Sequence, residues 1–245
     1  MTQRTLTVVV PALDEELGLA DAVAVVVDAV EAWFDDYEIL VFNDGSTDRT
    51  GEIADGLAAG HPKIFAFHHD EPHCIGGVLR AGWQRAKMHY VIWVDGQGAT
   101  TREALDAIFA RCGESDLVVP YASNQHERRL QRRIIATGFR SAVNLLFGLD
   151  LMQYTHLALV RADLAKRVHV QTDSYAYQAE ALVKMIVSGA TYVQLGVEDN
   201  FQLQGRRSKA FRPANVLGVA SFLFHTFIDV YVTGRTLAPA PDDES

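Results

Sequence analysis

Through the first 120 residues, short β-branched runs alternate with long amphipathic stretches, and connections of that length exclude tight hairpins. Strands spaced in this way pair in parallel through crossover helices. TLTVVV (5–10), EILVF (38–42), KIFAF (63–67), YVIWV (90–94) and DLVVP (116–120) read as the strands. Between the first two, Val23, Val26, Val27, Val30 and Phe34 recur at helical spacing within Glu16–Phe34. The next helix is expected to start at a Ser46/Thr47/Asp48 cap and to stop before Gly60 and Pro62, with others around Leu79–Ala86 and Thr101–Cys112. The fold class that follows is α/β: a Rossmann-like open, mostly parallel sheet flanked by helices, with ligands bound beyond the carboxyl ends of the strands.

Composition bounds the function. A chain of 245 residues, 49% hydrophobic, can bury one large core, and a net charge of −9 excludes a broad nucleic-acid binder, which needs a basic field. Cys74 and Cys112 make no disulfide framework and no CxxC spacing, which suits a reducing compartment. The apolar run near the amino terminus is too short for a signal peptide and passes straight into acidic residues, so a cytoplasmic location is expected. APAPDDES at the far end reads as a disordered tail.

After the strands come PALDEE, NDGSTD, HHDEPHCIGG and DGQGATT, which the fold class places on one rim. Asp44 and Asp48, with Gly45 between them, make a tight turn whose carboxylates and freed amides suit a nucleobase or ribose, with a plain loop and helix cap as the alternative. His68, His69, His73 and Cys74 match no zinc spacing and read as loop residues.

Taken in order, VVVPALDEE, FNDGSTDRT, GGVLRAGWQRA and the strand ending at Asp95 resemble the successive signatures of family 2 glycosyltransferases. The resemblance implies a GT-A fold and a nucleotide-sugar donor. Pro11, Ala12, Asp14, Glu15 and Asp44 would hold the nucleoside, Gly76 would let the backbone approach it, and Asp95 would face the diphosphate. RRIIATGFRSAVNLLFGL, with Arg132, Arg133, Ser141 and Asn144, and the later stretch from Ser174 to Val197 resemble the dolichol-phosphate mannose synthase group. That likeness implies inverting transfer to a phosphate-bearing acceptor such as a polyprenyl phosphate.

Two departures shape the site. Family members carry a DxD-type motif whose carboxylates hold a divalent cation; here Asp95 matches the first and Gln97 stands in place of the second. Mg²⁺ or Mn²⁺ would then be held by Asp95, Gln97 and the donor's own phosphates, or replaced by basic side chains. Arg128, Arg129, Arg132 and Arg133, and a second group of Arg206, Arg207, Lys209 and Arg212, offer guanidinium and ammonium groups for phosphate, with a solvated helix face as the plainer reading of the first group. At 151–160, Gln153, His156 and Leu157 replace the residues relatives show, which keeps open a small-molecule hydroxyl acceptor, and the missing second aspartate keeps open a non-catalytic nucleotide-sugar binder. A hydroxyl acceptor would need a base, for which Glu180 is the first candidate and Asp199 the second.

The expected organisation is a glycosyltransferase domain over 1–212, with a nucleotide half to about 120 and an acceptor half beyond it, an apolar helix over 213–234 and the tail from 235. Val216, Val219, Leu223, Phe227 and Val230 form one helical stripe, too interrupted by His225 and Asp229 to span a bilayer. Core packing, a homodimer and contact with the inner face of a membrane are its open uses, in that order.

Overall fold

The computed structural model describes residues 4–128, 130–174, 176–198 and 213–239, with the backbone alone for 213–220. The segments 199–212 and 240–245, and with them Asp199, Arg206, Arg207, Lys209 and Arg212, lie outside the described residues, as do Arg129 and Tyr175.

The alternation becomes β1 (Thr5–Ala12), α1 (Leu19–Trp33), β2 (Asp36–Asp44), α2 (Thr50–Gly60), β3 (Ile64–His69), α3 (Cys74–Arg85), β4 (Tyr90–Trp93), α4 (Arg102–Ala110) and β5 (Leu117–Ala122). The second half adds α5 (Leu130–Phe147), β6 (Leu159–Arg161), α6 (Ala162–Arg167), α7 (Tyr177–Val187), β7 (Tyr192–Val197) and α8 (Pro213–Ile228), which runs into a π-type turn at Asp229–Thr233. Seven strands form one sheet in the order β3-β2-β1-β4-β6-β5-β7. Among the described strands, only β6 runs against its neighbours, β4 and β5.

Strand order reverses between β1 and β4. From β1 the chain steps outward to β2 and β3, then returns to place β4 on the other side, which opens a crevice at their carboxyl ends. Both sheet faces are covered. Leu6, Val8 and Val10 face the layer of α1 with Val23, Val26 and Val30, while Val9, Leu40 and Phe42 face α3 through Val78, Leu79 and Trp83. Alternate residues of β1 are buried on both sides, as a central parallel strand requires.

Two expectations about helices are corrected. Of the expected Ser46/Thr47/Asp48 cap, only Asp48 bonds the helix start, accepting from the Thr50 amide; the Ser46 and Thr47 hydroxyls are engaged by the preceding loop instead. Among the described side chains of α8 and its extension, from residue 221 on, the buried residues are Phe222, Thr226 and Asp229, one position round from the Leu223–Phe227–Val230 stripe, of which Leu223 and Val230 are partly buried against the core. On that inward face Asp229 pairs with the buried Lys184. Order also runs past residue 235: His169 donates to the Thr236 carbonyl and Ala238 to that of Arg167.

Candidate active site

The rim at the β1/β4 crevice is assembled by side chains that bond to neighbouring loops. Asp14, at φ +56°, accepts from the amide and hydroxyl of Thr47 through Oδ1, and its own amide donates to Ser46 Oγ at 3.0 Å. The Glu15 amide donates to Thr50 Oγ1 at 2.8 Å, and Thr50 donates in turn to Asp48. Burial raises the Asp48 carboxyl, but the Thr50 hydroxyl and the amides of Thr50 and Glu16 outweigh it and hold the group below the ordinary carboxylate range. These bonds tie the loop after β1 to the turn after β2 before any ligand arrives.

Asp44, the last residue of β2, is buried. Its Oδ1 accepts from His69 Nδ1 at 2.7 Å and from the His73 amide at 2.9 Å. Gly45 at φ +73° follows, and a Cβ there would stand 2.8 Å from the Glu71 and Pro72 backbone, so this turn demands glycine. The parallel register places Asp44 opposite His69, which is how residues far apart in sequence converge. Asp44, His69 and His73 offer ligand atoms within 4.8 Å of one another. His69 and His73 therefore gather around a carboxylate, which their spacing alone did not show, while His68 bonds Asn43 and Asp55.

The loop after β4 closes the other side of the crevice. The Val94 amide donates to the Val9 carbonyl and Gly96 to Pro11, while a Cβ on Gly18 would stand 2.8 Å from the Gln97 carbonyl oxygen. Pro11, Ala12, Asp14, Glu15, Asp44, Asp95 and Gln97 thus share one rim. Asp95 is half-buried: Oδ1 accepts from the Ala99 amide at 3.1 Å and Oδ2 from the Thr100 hydroxyl at 2.9 Å. Each oxygen keeps a lone pair, so the carboxylate supplies a hard ligand and the exposed Gln97 amide oxygen a weaker one. That pair fits Mg²⁺ or Mn²⁺ if donor phosphates complete the shell. The Asp44–His69–His73 group is a different donor set, better suited to Mn²⁺ and borderline transition ions, and it lies two strand spacings away, roughly 10 Å.

Other candidates fall elsewhere. The backbone that Gly76 lets approach is that of Asp173: its amide donates to the Asp173 carbonyl, and a Cβ would stand 2.5 Å from that residue. Arg80 of α3 reinforces the contact with Asp173 at 2.6 Å. Glu180 is 1% exposed, accepting from the amides of Gln171 and Thr172 and pairing with Lys184 at 2.7 Å. Lys184 is itself fully buried and also bonds Asp229 at 2.5 Å and the His169 carbonyl at 2.6 Å. With its oxygens engaged inside the fold, Glu180 positions the 171–174 loop and is not set to take a proton at the rim. Arg132, Arg133 and Ser141 sit on α5, where Arg140, Ser141, Asn144 and Leu149 line an open depression of about 480 Å³. Asn144 is occupied by Leu151 and Tyr154.

A doubly wound sheet with a carboxylate-bearing rim at its reversal point offers a crevice of the kind in which nucleotides bind. The chain belongs to glycosyl transferase family 2, whose model matches residues 7–168. It is 26% identical over 240 residues to the glycosyltransferase AglD of Haloferax volcanii, covering 94% of this chain and 38% of AglD. It is 23% identical over 153 residues to a dolichyl-phosphate β-glucosyltransferase of Trichomonas vaginalis, covering 57% of this chain and 47% of that one. The chain therefore spans less than half the length of these relatives. Among solved structures, glucosyl-3-phosphoglycerate synthase of Mycobacterium tuberculosis in complex with Mn²⁺, UDP and glucosyl-3-phosphoglycerate aligns with a TM-score of 0.59 at 18% identity, over 93% of this chain and 80% of that one. The complex of the same protein with Mn²⁺, UDP-glucose and phosphoglyceric acid aligns with a TM-score of 0.62 at 19% identity, over 93% and 79%. Those likenesses establish the GT-A fold.

Proposed function

We propose that the chain transfers a sugar, with inversion, from a nucleotide-sugar donor to a phosphate-bearing acceptor, a polyprenyl phosphate being the first choice. The observation that carries this reading is the convergence of Asp14, Asp44, Asp95 and Gln97 at the β1/β4 reversal, in loops already bonded to one another. The relatives' names add support, since one acts on dolichyl phosphate and the solved neighbour was captured with phosphoglyceric acid.

In this mechanism the nucleoside lies against the first two loops. The outer oxygen of Asp44 reads the base, with His69 and His73 fixing the carboxylate's orientation. Asp95 and Gln97 face the diphosphate. A divalent ion, when bound by them and the phosphates, neutralises charge on the leaving group. An acceptor oxygen attacks the anomeric carbon from the face opposite the diphosphate, and the bond to the diphosphate breaks with its electron pair departing on the phosphate oxygen. A phosphate acceptor is already ionised at neutral pH, so this route needs no protein base, which agrees with the interior placement of Glu180. Arg132 and Arg133 are assigned to the acceptor phosphate, and the site of action to the cytoplasm or its membrane face.

Calorimetric titration with UDP, GDP, CDP and dTDP sugars, followed by transfer assays with and without EDTA, tests the reading. Transfer to a polyprenyl phosphate supports it. Transfer only to a hydroxyl acceptor overturns the acceptor assignment, and donor binding without turnover makes the chain a binder.

A further inference from the structure

Asp44, His69 and His73 stand where β2, β3 and the loop after β3 meet, and the fold brings all three together without a ligand. The register pairs Asp44 with His69, whose ring lies against Phe42 at 5.9 Å between centroids. His73 is drawn in by its own amide, which donates to Asp44 Oδ1 at 2.9 Å, and by Gly45, which lets the Glu71–Pro72 backbone lie on the turn. Both imidazoles turn Nδ1 toward one carboxylate oxygen, at 2.7 Å for His69 and 3.8 Å for His73, with ring centroids 4.2 Å apart. Orienting a carboxylate takes one imidazole. The second adds another nitrogen beside the same oxygen.

That spacing suits a metal ion. Ligands at the corners of a tetrahedron with bonds of roughly 2.0–2.1 Å stand about 3.3 Å apart, a value that the two nitrogen–oxygen distances bracket. The side chains of Asp44 and His69 are 6 and 20% exposed and that of His73 52%, which gives an ion a way in and leaves one side open for a further ligand. His69 Nδ1 donates to Asp44 and His73 Nδ1 to the Glu71 carbonyl, so an entering ion takes the place of those two protons, which pass to Nε2. Two imidazoles and one carboxylate select Zn²⁺, Co²⁺ and Ni²⁺ over Mn²⁺ and Mg²⁺, whereas Asp95 and Gln97 offer oxygen alone. Metal on Oδ1 also drains charge from the whole carboxylate. Its outer oxygen then becomes a weaker acceptor for an N–H of a base.

We propose that Asp44, His69 and His73 bind one ion of the Zn²⁺ class, and that this ion and the nucleoside oppose each other's binding at Asp44. The ion site stands on the three residues alone; the antagonism rests on Asp44 as the base-reading residue of the proposed function. Co²⁺ is the probe for the ion, titrated into the full chain with Mg²⁺ in excess and no nucleotide. The visible d–d bands of four-coordinate Co²⁺ are expected, and Zn²⁺ should bleach them. His73→Ala, which keeps the backbone amide on Asp44, should weaken Co²⁺ at least about tenfold, as should His69→Gln. Absence of the bands, or bands indifferent to both variants, overturns the site. Calorimetry with UDP, GDP, CDP and dTDP in excess Mg²⁺, with and without Zn²⁺, tests the antagonism. The diphosphate that binds should weaken about tenfold with Zn²⁺ in the wild type and stay unchanged by it in His73→Ala. No loss in the wild type overturns the antagonism. So does an equal loss in the variant, since uptake of Zn²⁺ by nucleotide phosphates would persist there. Binding of none of the four overturns the proposed function and the antagonism with it, while the ion site is judged on the Co²⁺ spectrum.

Discussion

At the rim of the β1/β4 crevice, the carboxylates of Asp14, Asp44, Asp48 and Asp95 are held by amides, hydroxyls and an imidazole from adjacent loops. In the second half, Glu180 and Asp229 are buried together against one ammonium group, that of Lys184. The contrast separates two uses of an acid. Hydrogen-bonded carboxylates at the rim keep lone pairs and negative charge for a ligand or its cation, whereas the interior pair spends its charge on fastening α7, the 171–174 loop and the carboxyl-terminal turn together. If the division is right, disturbing the interior acids changes stability and disturbing the rim acids changes binding.

The largest expected effect is at Lys184. Lys184→Met leaves two acids buried without a cation and should cost about 3–5 kcal/mol, read from urea unfolding. Glu180→Gln should cost less, about 1–3 kcal/mol, while the pH profile of turnover keeps its shape; a lost basic limb would return Glu180 to the role of proton acceptor and break the comparison. At the rim, Gly45→Ala strains a left-handed residue pressed on Pro72, at about 1–2 kcal/mol, and should weaken donor binding by calorimetry more than the equivalent change at exposed Gly56, which meets nothing. Asp44→Asn should weaken donor binding about tenfold with little change in unfolding, since the amide keeps only part of the acceptor's charge-assisted bonding. The smallest effect is at Asp48. Its folded-state carboxyl titrates below the unfolded value of 3.8, so its contribution is present above that value and is lost as pH falls through the lower folded one. Asp48→Asn should therefore flatten the stability curve only in the acid range, by a few tenths of a kcal/mol.

The first five strands and the helices between them were legible because each carries a period the core enforces, as with Val23, Val26 and Val30 on α1. Strand β6 was not, since Leu159–Arg161 is too short for a period and is defined by pairing with β4 and β5. The partners of Ser46 and Thr47 lie more than thirty residues back, at Asp14, beyond any local capping rule. The Asp44–His69 contact had a readable signal: both residues end adjacent parallel strands, so a register drawn from the two strand ends would have placed them side by side. Glu180 and Lys184 stand four apart on a helix, an ion pair visible in sequence, but Asp229 joins them from the turn after α8, 45 residues beyond Lys184, which no local rule reads.

That arrival bears on where the chain can be cut. Ending a shortened version ahead of residue 229, as a family match closing at 168 would invite, removes one of the two acids that neutralise Lys184 and opens the ammonium to solvent from the far side. What looks in sequence like a detachable greasy appendix supplies a counter-ion to the interior.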